Sequence, residues 1–216
     1  MGSNLQADSL SIRERIIEAA IEVLAERGYS SAGIQEIIDR AGTSKGSFYF
    51  HFPSKEQMVS QLVNQMSGKL IRKVEYSIRY QPTPLHRVAY GIDTLISTFS
   101  KQQKIARILL LNIMGHGITT DKLFLPTWNR FSELIEKELN EAVSQKQIEP
   151  IDTTLLSKIW LGALHEIIVQ WLLTNEPKPL TKTIPGLTTA LLKSVGVDPV
   201  EFHKQASKNS PLDLFP

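Results

Sequence analysis

Apolar residues recur along this chain at intervals of three and four, and almost nowhere in the two-residue alternation of a strand. Ile12, Ile16, Ala20, Val23 and Leu24 line one face of a first helix. Ser11 and Glu14 are spaced as a capping box at its start, and Gly28 is its stop. Ile34, Ile37, Ile38 and Ala41 repeat at i, i+3, i+4 and i+7, which predicts a short second helix closed by Gly42. A third covers residues 44–50 and is broken by Pro53; Ser54 and Gln57 then open a fourth that reaches about residue 80. Beyond Pro82 and Pro84, helices are predicted at 84–101, 104–114 and 121–146, the last two joined by a loop over 115–121. Asp152 caps a long apolar helix that ends near Thr174, a Pro-rich connector follows, and a final helix runs from about 184 to 195. The pattern predicts an all-α protein of about nine helices. A three-helix head occupies residues 1–53, a larger helical body 54–196, and a polar, partly ordered tail 197–216. Helix four belongs to both head and body.

Residues 40–56, RAGTSKGSFYFHFPSKE, carry the clearest chemistry. Phe48 and Phe52 lie four apart and can both face inward against the second helix. With Phe48 buried, Lys45 and Tyr49 project from another face, with Ser44 and Ser47 near the helix start and Gly46 leaving room for close approach. His51 and Lys55 fall just beyond, where side chains and the start of helix four can meet phosphate oxygens. No acidic residue occurs from Arg40 to Lys55. Taken singly, Tyr49 reads as a packing residue, His51 as a cap, and Lys45 and Lys55 as solvated charges. Together, on a short helix held by aromatic packing, they form a reader of the DNA major groove.

Composition narrows the picture without adding to it. The chain has 216 residues, 42% hydrophobic and 21% charged, which is enough to bury a core. Its net charge is +2, and residues 1–39 hold more acid than base, so a nucleic-acid surface must be local. The absence of cysteine excludes disulfides and thiolate metal sites. The longest apolar run, 159–173, is interrupted by His165, Glu166 and Gln170 and falls short of the ~20 residues that a membrane span needs. With no signal-peptide architecture at the start, a soluble, cytoplasmic protein is expected. His165-Glu166 is too short a constellation for a metal site. No nucleophile elbow, phosphate loop, zinc motif or catalytic carboxylate pair occurs, so neither enzyme activity nor a cofactor is expected.

The helix at 152–174 is apolar on nearly all sides and must be covered on more than one face. Leu156, Trp160, Leu164, Ile168 and Trp171, with Leu187 and Leu191 of the last helix, are the candidates for a seam between two subunits; the bland reading is a monomeric core helix. A two-fold dimer would set paired reading helices roughly 34–36 Å apart. A small, mainly apolar effector could enter a pocket of the body, with Met66, Phe99, Arg107, Asn112, His116, Trp128 and Phe131 as candidate contacts. The competing reading gives the body a protein partner to dock instead of a small ligand.

Residues 11–60 resemble the N-terminal domain of the TetR family of transcriptional regulators. The resemblance runs from Arg15-Ile16-Ile17-Glu18-Ala19-Ala20 through Gly28-Tyr29, Ile37 and Ala41-Gly42. It continues over Ser44-Lys45-Gly46-Ser47-Phe48-Tyr49 and Phe52-Pro53-Ser54-Lys55-Glu56. It implies a homodimer that binds a double-stranded operator as a repressor and releases it when a small molecule enters the larger domain. Position by position it implies that Lys45, Ser47, Tyr49, His51 and Lys55 touch DNA, with Gln35 a candidate from helix two. Two departures stand out. Ala32 occupies the place where the family usually has a capping Thr, so Ser31 or Gly33 must cap helix two. Gln35 replaces the usual Arg or Ala and can read adenine. Few cations lie outside the motif, so three or four phosphates per subunit are expected to be contacted. The logarithm of operator affinity should then fall against that of salt with a slope of about −5 to −7 for a dimer; a much steeper slope in a salt titration would refute the count.

Overall fold

In a computed structural model the described residues are 11–112 and 118–202, the side chains of 112 and 118–124 excepted. Among them the protein is all-α. The helices are α1 (Ile12–Ser31), α2 (Ile34–Ala41), α3 (Lys45–His51), α4 (Lys55–Ile78), α5 (Pro84–Lys101), α6 (Gln103–Arg107), α7 (Ile118–Ser144), α8 (Thr153–Thr174) and α9 (Ile184–Ser194). A π-helical turn, Ile108–Asn112, follows α6, and a 3-10 turn, Leu180–Thr183, precedes α9. The expected caps are in place. Ser11 and Glu14 form a reciprocal capping box, and Asp152 accepts the Leu155 amide at 2.9 Å. Two boundaries differ from the sequence pattern. The first helix breaks at Gly28 as predicted, where φ is 74°, but a further helical turn carries α1 on to Ser31. Residues 118–121, expected in a loop, already belong to α7, which holds Pro126 in its interior.

The chain divides into two units, and the division falls inside α4 between Met66 and Ser67. The first unit extends past residue 53 because the opening turns of α4 place Met58, Val59, Leu62 and Val63 in the same core as Ile16, Val23, Leu24, Ile37, Phe48 and Phe52. Residues 104–112 and 118–124 return to this unit, and Ile108 and Leu109 are buried where the π turn packs on α1. No sequence periodicity marks that return.

The second unit comprises residues 67–103 and 125–202. Leu85, Ile92, Ile96 and Phe99 of α5 are buried, as is the face of α8 that packs toward α5. That face is the one expected between subunits. Leu156, Trp160, Leu164, Ile168, Trp171, Leu187 and Leu191 are each at most 7% exposed within the single chain. Trp160 also donates from Nε1 to Ser194 Oγ at 3.1 Å, tying α8 to α9. The expectation is corrected for a physical reason: of two apolar faces, the one carrying both tryptophans buries the larger area, so it turns inward. Leu155, Ile159 and Leu173 are left 55%, 54% and 65% exposed. Trp160→Ala should therefore cost about 3–5 kcal/mol in denaturant unfolding. The loss relative to the parent should not change with protein concentration, as it would if Trp160 were buried only by a second subunit.

Candidate functional site

The turn between α2 and α3 is built by Gly42, whose φ of 58° is left-handed and favours glycine. Its amide donates to the Asp39 carbonyl and that of Thr43 to the Ile38 carbonyl, both at 3.2 Å, closing α2. Helix α2 itself starts at Gly33 with no side-chain cap, and Ala32 is buried. Ser44 caps α3 by accepting the Ser47 amide at 3.1 Å, and the two hydroxyls bond to each other at 3.0 Å. Phe48 and Phe52 are wholly buried with ring centroids 6.0 Å apart. Their burial turns Lys45, Gly46, Tyr49 and Phe50 outward. The Tyr49 ring rests edge-on against Phe48 at 5.4 Å, which braces it while its hydroxyl end stays free to reach out. His51 is half-buried between the rings of Phe50 and Phe52.

Charges in this unit are unequally available. Arg40 is held by both oxygens of Glu26, at 2.9 and 3.0 Å, with Glu22 and Glu36 nearby, so its charge is spent inside the unit. Lys55 is drawn inward as well: its ammonium donates to the Tyr29 carbonyl and lies over the Tyr29 ring at 4.6 Å. Burial lowers its pKa from the ordinary lysine value, against the opposing pull of Glu56. The Tyr29 hydroxyl in turn donates to Glu56 at 3.4 Å. Lys45 forms no such bond among the described residues and is exposed. Gln35 is exposed on α2, with its amide bonded to Asp39 at 2.8 Å. Of the residues named from sequence, Ser44, Lys45, Gly46, Ser47, Tyr49 and His51 are thus brought together on or beside α3. Lys55 serves the frame in this structure. Phe50, 84% exposed, was missed, although the spacing held the signal: a residue about 200° round the helix from Phe48 must point outward.

The effector candidates are not gathered. Met66 and Arg107 belong to the first unit and Phe99, Trp128 and Phe131 to the second, while the side chain of Asn112 and all of His116 lie outside the described residues. The second unit does hold an apolar cavity of about 40 Å³, walled by Val74, Val88, Gly91, Leu95, Leu161 and Phe131. Phe131 is the one candidate that lines it. At its edge Arg87 is bonded to Glu138 at 2.5 Å and to Glu141 at 2.6 Å. Trp128 instead packs edge-on with His165 at 5.2 Å, and burial lowers the His165 pKa from its ordinary value. That ring contact gives His165 a packing role.

A capped helix, a glycine turn and a second helix that shows hydroxyl, cation and aromatic groups outward define a helix-turn-helix DNA-binding module. The comparisons agree. The family model for bacterial regulatory proteins of the tetR family matches residues 16–62. The fatty acid metabolism regulator protein of Bacillus subtilis is 23% identical over 182 residues, covering 84% of this chain and 94% of its own length. The HTH-type transcriptional regulator UidR of Escherichia coli is 24% identical over 172 residues, 78% of this chain and 85% of its own. The solved structure of the transcriptional regulator FadR from Bacillus subtilis, in complex with stearoyl-CoA, matches with a TM-score of 0.77 at 22% identity, over 82% of this chain and 96% of that one. Residues 16–62 thus match the DNA-binding domain of tetR-family regulators, and the chain is similar over most of its length to transcriptional regulators. No helix among the described residues is long and apolar enough to cross a membrane.

The two lysines should part company on mutation. Lys55→Ala removes a charged donor from a partly buried carbonyl and should lower stability by about 1.5–3 kcal/mol. Lys45→Ala, at an exposed site, should stay within about 0.5 kcal/mol of the parent in the same denaturant titration.

Proposed function

We propose that this protein is a homodimeric repressor that binds a pseudo-palindromic operator and releases it when a small, mainly apolar effector enters the body. The observation that carries the reading is the outward face of α3, where Lys45 and Tyr49 stand clear of a buried Phe48–Phe52 anchor. Lys45, Ser44, Ser47, Tyr49 and His51 are assigned to phosphates and base edges, and Gln35 to an adenine if its bond to Asp39 is exchanged. Such work is done in the cytoplasm, with the chromosome.

Dimerisation is assigned to the face of α8 that the single chain leaves open. Leu155, Ile159, Gly162 and Leu173 follow one another at helical spacing on it, and a side chain added at Gly162 would meet open space. Exposed Gly186 and Ala190 on α9 offer a flat neighbour for close helix packing.

The effector is assigned to the apolar cavity of the second unit, which must widen from about 40 Å³ to take one. A small apolar recess inside the unit favours a small ligand over a docked protein. Ile78, Arg87, Leu134 and Glu138 line both this cavity and an outer cleft, where Arg79 and Lys137 have no paired carboxylate among the described residues. An apolar chain with an anionic head suits that sequence of surfaces, and the FadR complex with stearoyl-CoA supports the same class. Because α4 runs through both units, a change around Val74 and Ile78 can be passed along one continuous helix to the head.

The test begins with duplexes selected from a random pool by the protein itself. Lys45→Ala with Tyr49→Ala should lose at least about tenfold in affinity, the equivalent of 1.4 kcal/mol. Ile159→Glu should sediment as a monomer and bind more weakly. Stearoyl-CoA at saturation should weaken the parent's binding. Undiminished binding by the double variant would overturn the DNA assignment, an unchanged dimer the assigned seam, and indifference to stearoyl-CoA the proposed effector class.

A further inference from the structure

Phe50 is a large apolar side chain exposed on the same short helix as Lys45, Ser47 and Tyr49. It is 84% exposed, the most exposed large apolar side chain among the described residues, and it lies on the seven-residue α3. The other two aromatic residues of α3 have evident tasks, since Phe48 is wholly buried and Tyr49 braces against it. Phe50 is on the opposite side of the helix from Phe48 and contributes nothing to the core. Its ring meets the edge of His51 at 5.1 Å, which limits its freedom on one side. On the other side, one turn back, stands Gly46, where an added Cβ would meet only Ser44 Oγ, at 3.8 Å. The ring is therefore flanked by open space where a bulky residue at position 46 would have screened it.

We propose that Phe50 is a specificity-determining residue that packs its ring on thymine C5-methyl groups in the major groove. The inference rests on the reading that α3 enters that groove. A phenyl ring has no hydrogen-bonding atom with which to hold a phosphate. Among the groups that the four base pairs display in the major groove, the thymine methyl is the apolar one. The stretch around it, free of acid from Arg40 to Lys55, does not repel the duplex. A phenylalanine has only two side-chain torsions to fix, and His51 already restrains the ring, so little entropy is lost when it docks. Gly46 lets the helix backbone approach closely enough for the ring to reach the base edge. Phe50 thereby supplies apolar readout of a base edge, which the hydrogen-bonding groups of Lys45 and Tyr49 do not.

Deoxyuridine in place of thymidine removes the methyl and keeps every hydrogen-bonding group. An operator duplex is selected from a random pool with the parent protein, and each thymine is then replaced singly. The parent should lose roughly three- to fivefold in affinity at one or two thymines per half-site, the scale of one buried methyl, and little at the others. Phe50→Ala, at an exposed position, should keep the parent's thermal midpoint and bind the unmodified operator more weakly. It should also show no further loss at those same thymines. If the parent binds all uracil-containing duplexes equally, or if Phe50→Ala remains as sensitive as the parent, the proposal is overturned. A loss in Phe50→Ala that is uniform over all sequences would assign the ring to the sugar–phosphate backbone and overturn it as well. Failure of the parent to select any duplex would overturn instead the reading that α3 enters DNA, and the proposal with it.

Discussion

The burial of Phe48 and Phe52 is the contact on which the rest of the head depends. Two aromatic rings four residues apart, both removed from water, leave α3 a single rotational setting against α1, α2 and the start of α4. Each is the kind of anchor whose loss costs several kcal/mol, far more than any exposed polar contact on the same helix. Once they are fixed, the directions of Lys45, Gly46, Tyr49 and Phe50 follow from helical geometry. The polar groups on the outward face of α3 are displayed by an apolar pair that is itself wholly buried.

The charges are arranged to the same end. Seven acidic residues precede Arg40 and only three basic ones, an imbalance hostile to DNA. The structure engages part of that acid at the surface with Arg40, which binds Glu26 with two bonds and has Glu22 and Glu36 close by. Lys55 is likewise held by the Tyr29 carbonyl and ring, where it fixes the start of α4 against the end of α1. Cationic residues in the motif therefore divide into those that shape the unit and those, chiefly Lys45, that remain available. Sequence spacing alone cannot make this division, because Glu26 and Arg40, or Tyr29 and Lys55, become neighbours only when the helices pack.

Local rules carried the fold class, most helix boundaries and the inner and outer faces of α3, since these depend on residues within a turn or two of each other. They failed where two packings satisfy the same pattern. Helix α8 has apolar residues on both sides, and nothing in its period says that the tryptophan side faces its own core while Leu155, Ile159 and Leu173 face out. They failed also where distant segments meet, as when residues 104–112 return to the first unit and divide the candidate effector contacts between two units. The cavity walled by Val74, Gly91 and Leu161 draws on four helices, and its position could not be read from any one of them. Phe50 is a different kind of miss. The spacing required it to be exposed, but an exposed phenylalanine invites no assignment until the surface around it has one.

The central claim is that the outward face of α3 enters DNA as a preformed unit. Backbone amide chemical shifts, followed by NMR as a selected operator duplex is added, test it most directly. The account predicts the largest changes over residues 44–51 and at the start of α4, with the signals of Phe48, Phe52 and their core neighbours nearly still. Changes centred on α8 or α9, or a general loss of the head's dispersed signals on binding, would contradict it.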